Sequence, residues 1–226
     1  MERSGEPERQ SASVRSGEGS FPPPPRQRPY DIAIRVAYET LRERELTADR
    51  LSRLGALLCD DGIRLPALDQ QLVVKLDREE VLVDGGGHAR YDWTLLALHY
   101  LSAVDLSEDN REVTLSHFAD ARGYLAVYNK RIIGRFLATV GATDEGFRQR
   151  AEQLHATAVP WNGTCFRFTI FPRVPLTIVR YEGDEEYPPG ANIIYRADAE
   201  HLLPAEDRIV AAETLINTLS GVPLHI

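Results

Sequence analysis

The chain has 226 residues, of which 43% are hydrophobic and 27% are charged, and its net charge at pH 7 is -8. This composition is typical of an ordinary globular protein. An acidic chain without a block of Lys and Arg is not expected to bind nucleic acid. Two distant cysteines argue against a disulfide framework and against an iron–sulfur cluster ligated by this chain. The lack of a secretory signal and of a stretch of about 18 apolar residues predicts a cytoplasmic protein outside the membrane.

Residues 1–29 differ from the rest in composition, because Pro, Gly and Ser occupy 14 of the 29 positions. Such a segment has too few apolar side chains to offset its chain entropy. We therefore predict a disordered tail with a polyproline II stretch at residues 22–25, followed by a single domain over residues 30–226. The tail is either a spacer or a docking segment for a partner that recognises proline.

The first elements after the tail are two helices and a hairpin. Residues 30–45 have apolar side chains at helical spacing, with a predicted stripe that includes Ile32 and Val36. Thr47 is the predicted N-cap of the next helix. The stretches "QLVVKLD" and "EVLVDGG" then predict two strands of a hairpin. The glycines that follow lack the spacing of a phosphate-binding loop.

The stretch "YDWTLLALHYLSAV" predicts a helix that is buried on most of its faces. His99 is the one titratable nitrogen base in this helix, and it is either a buried neutral histidine with one partner or a ligand residue. A second amphipathic helix, "GYLAVYNKRIIGRFLATVG", ends near Gly141, and a third begins at Thr143 or Asp144.

Strands return in the last third of the chain. "TCFRFTIF", "PLTIVRYEG" and "ANIIYR" predict an antiparallel meander, and a final helix starts with Glu206 and Asp207 in its first turn. Strand pairs and helices in this order do not alternate regularly. We therefore predict an α+β fold, with an antiparallel or mixed sheet and helices packed mainly on one side.

The acidic stretch "GDEEYPPGANIIYRADAEHLLPAED" raises the question of a site. Its carboxylates and one histidine would suit a divalent metal if the fold brought them together, and the candidate ligands are Glu186, His201, Glu206 and Asp207. Pro188 and Pro189 make the turn rigid. The alternative is that the acids at the start of the last helix stabilise its dipole and the others are solvated.

Three stretches in this order, "WTLLALHYLSAVD", "FPRVPLTIVRYEGDEEYPPGANIIY" and "HLLPAED", resemble the bacterial and archaeal domain-of-unknown-function family 3786. The resemblance covers roughly residues 30–219. It implies a neighbourhood of iron–sulfur and corrinoid proteins and supplies no reaction. The chain departs from the family pattern at Arg196, where an Asp is usual, and at Leu202 and Ala205.

We therefore expect an uncharacterised accessory protein that binds a small ligand or a metal, with a divalent metal or a corrinoid as the candidate cofactor and a metalloprotein complex as the candidate partner. The candidate ligand-binding residues are His99, Tyr100, Arg173, Asp184, Glu186, Pro188 and Pro189. An enzyme with Glu206 or Glu186 as general base remains an alternative, as does a non-catalytic structural subunit.

Overall fold

The computed structural model describes residues 28–226. The predicted tail lies outside the described residues, except for its last two positions, which begin the first helix. The fold is mixed α+β with two antiparallel sheets, as predicted. In the described part of the chain, no helix is both long enough and apolar enough to cross a membrane.

The N-terminal half contains three helices and a four-stranded sheet in the order β1-β2-β3-β4. The helices are α1 (Arg28–Arg42), α2 (Ala48–Arg53) and α3 (Tyr91–Leu101). The strands are β1 (Leu57–Cys59), β2 (Gly62–Ala67), β3 (Gln70–Lys75) and β4 (Glu80–Val83). The predicted hairpin is β3–β4, and the side chain of Thr47 caps α2 by accepting a hydrogen bond from the Arg50 amide. The sequence reasoning missed β1 and β2, which extend the hairpin into a sheet.

The C-terminal half contains a five-stranded sheet in the order β5-β9-β8-β7-β6. Its strands are β5 (Glu112–Thr114), β6 (Thr157–Ala158), β7 (Thr164–Phe171), β8 (Val174–Tyr181) and β9 (Gly190–Arg196). The helices of this half are α4 (Leu125–Tyr128), α5 (Gly134–Ala138), α6 (Asp144–Gln153), α7 (Ala199–Leu202) and α8 (Ala205–Leu219). The predicted meander is β7–β8–β9, and Thr143 caps α6.

The predicted helix over residues 123–141 is present in an altered form. α4 and α5 are joined by a π-helical turn at Asn129–Ile133, and a 3₁₀ turn follows at Val140–Ala142. A π turn widens the helix locally and leaves some carbonyls without the regular partner, and such turns are frequent at functional sites. Periodicity in the sequence cannot reveal this change, because one wide turn barely shifts the apolar stripe.

One cluster of buried apolar residues includes side chains from both sheets and from α1, α3 and α8. α1 contributes Ala37, Tyr38 and Leu41 to this cluster, whereas Ile32 and Val36 are exposed. The predicted stripe on α1 was therefore partly wrong. The helix carries apolar side chains on more than one face, and packing against α3 selects the face with Tyr38. The sheets are joined where the Leu68 amide donates to the carbonyl of Thr169.

Gly141 approaches the ring of Phe136 closely, and a Cβ atom there would lie 2.3 Å from a ring carbon. Gly141→Ala is expected to lower the free energy of unfolding by about 1–3 kcal/mol, because an overpacked core must shift a ring or the backbone. Urea denaturation measures the change. Gly123→Ala is the control, since nothing lies within 4 Å of its Cβ position. Equal stability of both variants would show that the Phe136 ring yields without cost.

Candidate functional site

The acidic loop between β8 and β9 folds on itself. The Asp184 carboxylate accepts hydrogen bonds from the amides of Glu186 (2.9 Å) and Tyr187 (2.8 Å). The Asp184 amide donates to the Tyr187 carbonyl, and Pro188 and Pro189 follow. These hydrogen bonds close a turn immediately before the two prolines. Its side chains from Asp184 to Pro189 are exposed.

The four candidate metal ligands lie in different surroundings. His201 is 3.3 Å from the carboxylate of Asp105, and Glu206 accepts a long hydrogen bond of 3.4 Å from the hydroxyl of Tyr124. Asp207 pairs with His99, and Glu186 lies in the exposed loop. Among residues 28–226, no group of three or more His, Cys, Asp or Glu side chains is arranged to hold a metal ion. The structure does not bring these four residues together.

His99, predicted to bind a small ligand, and Asp207, predicted to bind a metal, form an ion pair with each other. Nδ1 of His99 lies 2.5 Å from Oδ2 of Asp207, although the two residues are 108 positions apart. The hydrogen bond that Nδ1 of His99 donates to the carboxylate raises the pKa of His99 above its ordinary value, against the opposing effect of burial. The other ring nitrogen, Nε2, has no hydrogen-bond partner among the described residues and is not buried. The pair therefore presents one oriented ring nitrogen.

Two other predicted ligand residues, Tyr100 and Arg173, form hydrogen bonds inside the protein. The Tyr100 hydroxyl donates to the Leu54 carbonyl at 2.6 Å, and burial raises the pKa of this tyrosine. Arg173 donates to the carbonyls of Leu106 (3.1 Å) and Ser107 (2.8 Å) and lies 3.4 Å from the carboxylate of Asp198. Because these hydrogen bonds are made within the protein, Tyr100 and Arg173 have a structural role.

Asp198 is fully buried, and its carboxylate receives a second guanidinium from Arg196, with Nε at 3.0 Å. Arg196 is the position at which the resemblance led us to expect an Asp. In this chain a cation at that position compensates a buried anion two residues further on. A buried carboxylate needs such partners, because removing it from water costs several kcal/mol.

A groove with a volume of 430 Å³ lies between four helical segments, and ligand pockets in proteins commonly have about 300–1,000 Å³. It is lined by the start of α1, the start of α3, the helix from α4 to α5, and α8. The lining residues are Tyr30, Arg90, Asp92, Tyr124, Val127, Tyr128, Arg131, Ile132, Glu206, Ile209, Val210, Glu213, Thr214 and Asn217. The π turn forms part of one wall.

The charged groups of the groove are partly neutralised. Arg131 pairs with Glu213 at 2.8 Å, and Arg90 lies 3.4 Å from Asp92. Glu206 has no cationic partner among residues 28–226, and its only side-chain hydrogen bond there is the long one from Tyr124. The groove therefore combines neutral ion pairs with one carboxylate whose charge is not compensated.

Two hydroxyl groups in the wall of the groove are buried. Oγ1 of Thr214 has no hydrogen-bond partner among the described residues, although Thr214 is only 1% exposed. Tyr128 places its hydroxyl 3.0 Å from that of Tyr195, which donates to the Arg208 carbonyl. Burial raises the pKa of Tyr128 well above its ordinary value, so this hydroxyl stays protonated.

Sequence reasoning named only Glu206 among the residues of the groove. One signal was present in the helix that follows Tyr124, since Tyr124, Val127 and Arg131 recur at helical spacing. Val127 is 59% exposed, and this outward apolar residue marks a second face of the helix. The remaining walls come from segments that are distant in the sequence, and no local pattern connects them.

The chain belongs to a family described as Domain of unknown function (DUF3786), whose model matches residues 47–218. This match confirms the resemblance and covers most of the chain. No curated protein and no solved structure matches the chain.

The His99–Asp207 pair predicts a specific dependence of stability on pH. Because the pKa of His99 is raised in the folded state, its contribution to stability is complete below the unfolded value of about 6.5 and is lost as the pH rises through the folded value. Urea denaturation at several pH values should therefore show wild type losing stability relative to His99→Gln over that window. His88→Gln is the control, because His88 is exposed and has no carboxylate partner in residues 28–226. A constant difference between wild type and His99→Gln would contradict the pair.

Proposed function

We propose that this member of the DUF3786 family is an accessory protein that binds a small organic ligand in the groove between α1, α3, the α4–α5 helix and α8. The observation that carries the proposal is the groove itself, which combines a volume of 430 Å³ with a buried hydroxyl that lacks a partner. A buried polar group without a hydrogen bond costs about 1–3 kcal/mol. A ligand whose entry moved the Thr214 side chain, so that Oγ1 reached the groove, would recover this cost.

The lining of the groove favours an organic cation with an apolar body. Val127, Ile132 and Ile209 offer apolar surface for the body of such a ligand. The uncompensated carboxylate of Glu206 and the ring of Tyr124 stand together, and both attract a positive charge. The two ion pairs in the groove leave no guanidinium free for an anionic group.

The Thr214→Val variant tests the role of the buried hydroxyl. In the ligand-free protein it is expected to keep or raise the free energy of unfolding, because it removes an unpaired polar atom without changing the shape of the side chain. Urea denaturation measures this. Thr218→Val in the same helix is the matched control, since its hydroxyl donates to the Thr214 carbonyl at 3.0 Å. The free energy of unfolding of this control should fall by up to about 1 kcal/mol.

Binding is measured by titration calorimetry on the full chain, with benzylammonium as the probe, because its N–H groups can donate hydrogen bonds to a carboxylate. We expect wild type to bind it and Glu206→Gln to bind it about tenfold more weakly, because a charged hydrogen-bond or cation partner contributes about 1.5 kcal/mol or more. Glu185→Gln, in the exposed loop, is the charge-matched control. If Glu206→Gln and Glu185→Gln bound the probe equally well, the groove would not be its binding site.

A second candidate function is supported by the His99–Asp207 pair, which would give one nitrogen to a metal complex. A histidine whose second nitrogen is held by a carboxylate is the usual arrangement of a metal ligand. A bare ion would find too few ligands, since no group of three is formed among residues 28–226. A corrinoid, which the resemblance suggests, would bring its own nitrogen ligands and supply cobalt chemistry, and Nε2 of His99 would be the residue atom that holds it.

This candidate is tested with cobinamide, a corrinoid that lacks its own nitrogenous base. Mixing it with the full chain should shift its visible absorbance if a histidine nitrogen binds the cobalt. The shift should disappear in His99→Ala and persist in His201→Ala, which removes a histidine that pairs with Asp105 instead. Asp207→Asn should weaken binding about 10–100-fold. A shift that survives in His99→Ala would assign it to another group.

The enzyme alternative, with Glu206 or Glu186 as general base, has less support. Both residues are exposed, and neither lies in the desolvated surroundings that favour a glutamate base near neutral pH. The alternative of a structural subunit draws its support from the exposed apolar residues Ile32 and Val36 on α1. A metalloprotein partner remains part of the proposal, and α1 is the surface we would test for it.

A further inference from the structure

We infer that a second site, a cavity at the carboxyl end of α3, binds a phosphate group, either as free phosphate or as part of a small phosphomonoester. This arginine cavity is lined by residues of the α1–α2 connection, α2 and the segment after α3, and it has a volume of 560 Å³. Its arginines are Arg44, Arg50 and Arg53. It shares no residue with the groove of the proposed function.

The three arginines lack acidic partners. None of them forms an ion pair with a carboxylate among residues 28–226. Most ion pairs in that part of the chain are formed by other arginines. The Nε atoms of Arg44 and Arg50 are buried and have no hydrogen-bond acceptor there. The Nη atoms of Arg44 and Arg53 make no side-chain hydrogen bond within residues 28–226, and an oxyanion in the cavity would supply acceptors for them.

Three carboxylates also line the cavity, and none of them forms an ion pair with its arginines. Asp105 lies 3.3 Å from His201 and accepts the amide of Ser107 at 2.8 Å. Glu45 and Asp49 are exposed. Burial and the neighbouring charges of Arg44 and Arg53 lower the pKa of Arg50, and no acidic group opposes that shift. Arg44 and Arg53 are thus the charged neighbours that act most strongly on Arg50.

Arg50 is also held in place. Its Nη2 donates to the carbonyls of Leu101, at 3.2 Å, and Ala103, so the guanidinium is fixed at the end of α3. Thr47 adds a hydroxyl whose oxygen already accepts the Arg50 amide, and its own proton is left to donate to an anion. Several guanidinium groups with a hydroxyl donor match the charge and the oxygens of a phosphate group better than those of a carboxylate.

The test uses titration calorimetry and phosphorus NMR on the full chain, with inorganic phosphate and phenyl phosphate as probes. Wild type is expected to bind at least one of them, with an affinity that falls as the salt concentration rises. Arg53→Gln and Arg44→Gln should each weaken binding about tenfold, because each removes a charge-assisted hydrogen bond. The two residues make no side-chain hydrogen bonds within residues 28–226, so the variants should fold.

Arg78→Gln is the control, because it removes the same charge from an exposed turn outside the cavity. Binding of both probes would mean that the cavity accepts a phosphomonoester, and binding of inorganic phosphate alone would restrict it to free phosphate. The inference is overturned if neither probe binds, or if Arg78→Gln weakens binding as much as Arg53→Gln does. Succinate binding as tightly as phosphate would also overturn it.

Discussion

The burial of α3 on nearly all of its faces is the constraint on which the rest of the structure depends. Trp93 and Tyr100 pack against the same ring of Phe171, edge-on at 6.1 Å and stacked at 4.8 Å. α1 covers one side of the helix and α8 another. A helix with so few polar positions must be covered by other parts of the protein, because the burial of each large apolar side chain contributes about 1.5–3 kcal/mol to the stability of the fold.

Each candidate site lies at a place where this burial ends. The groove begins at the amino end of α3, where Arg90 and Asp92 reach the surface. His99 lies where α8 meets α3, and its Nδ1 is hydrogen-bonded to the carboxylate of Asp207. At the carboxyl end, the carbonyls of Leu101 and Ala103 need donors, and Arg50 supplies them. Two of these candidate sites thus adjoin hydrogen bonds made at or just beyond one buried helix.

Buried charges fix the loops around these sites. Arg173 connects the segment after α3, through Leu106 and Ser107, to the fully buried carboxylate of Asp198. Arg208 is also buried, donates to the carbonyl of Leu203, and lies 4.4 Å from the ring centre of Phe118. A buried ion pair adds little net stability, but breaking it by removing one partner costs about 3–5 kcal/mol. The Arg173–Asp198 pair therefore defines the loop positions more than it stabilises the fold.

The sequence by itself determined most of the longer elements but not β1, β2 or the π-helical turn, because periodicity and capping act over a few neighbouring residues. It indicated the hairpin, the meander, the caps at Thr47 and Thr143, and the buried helix around His99. It also supplied His99 and Asp207 as separate candidates. Only the tertiary structure decided that these two meet, that Glu186 and His201 lie elsewhere, and that Ile32 faces outward. The physical reason is that contacts between residues about a hundred positions apart depend on how helices pack, and no local pattern encodes which faces they choose.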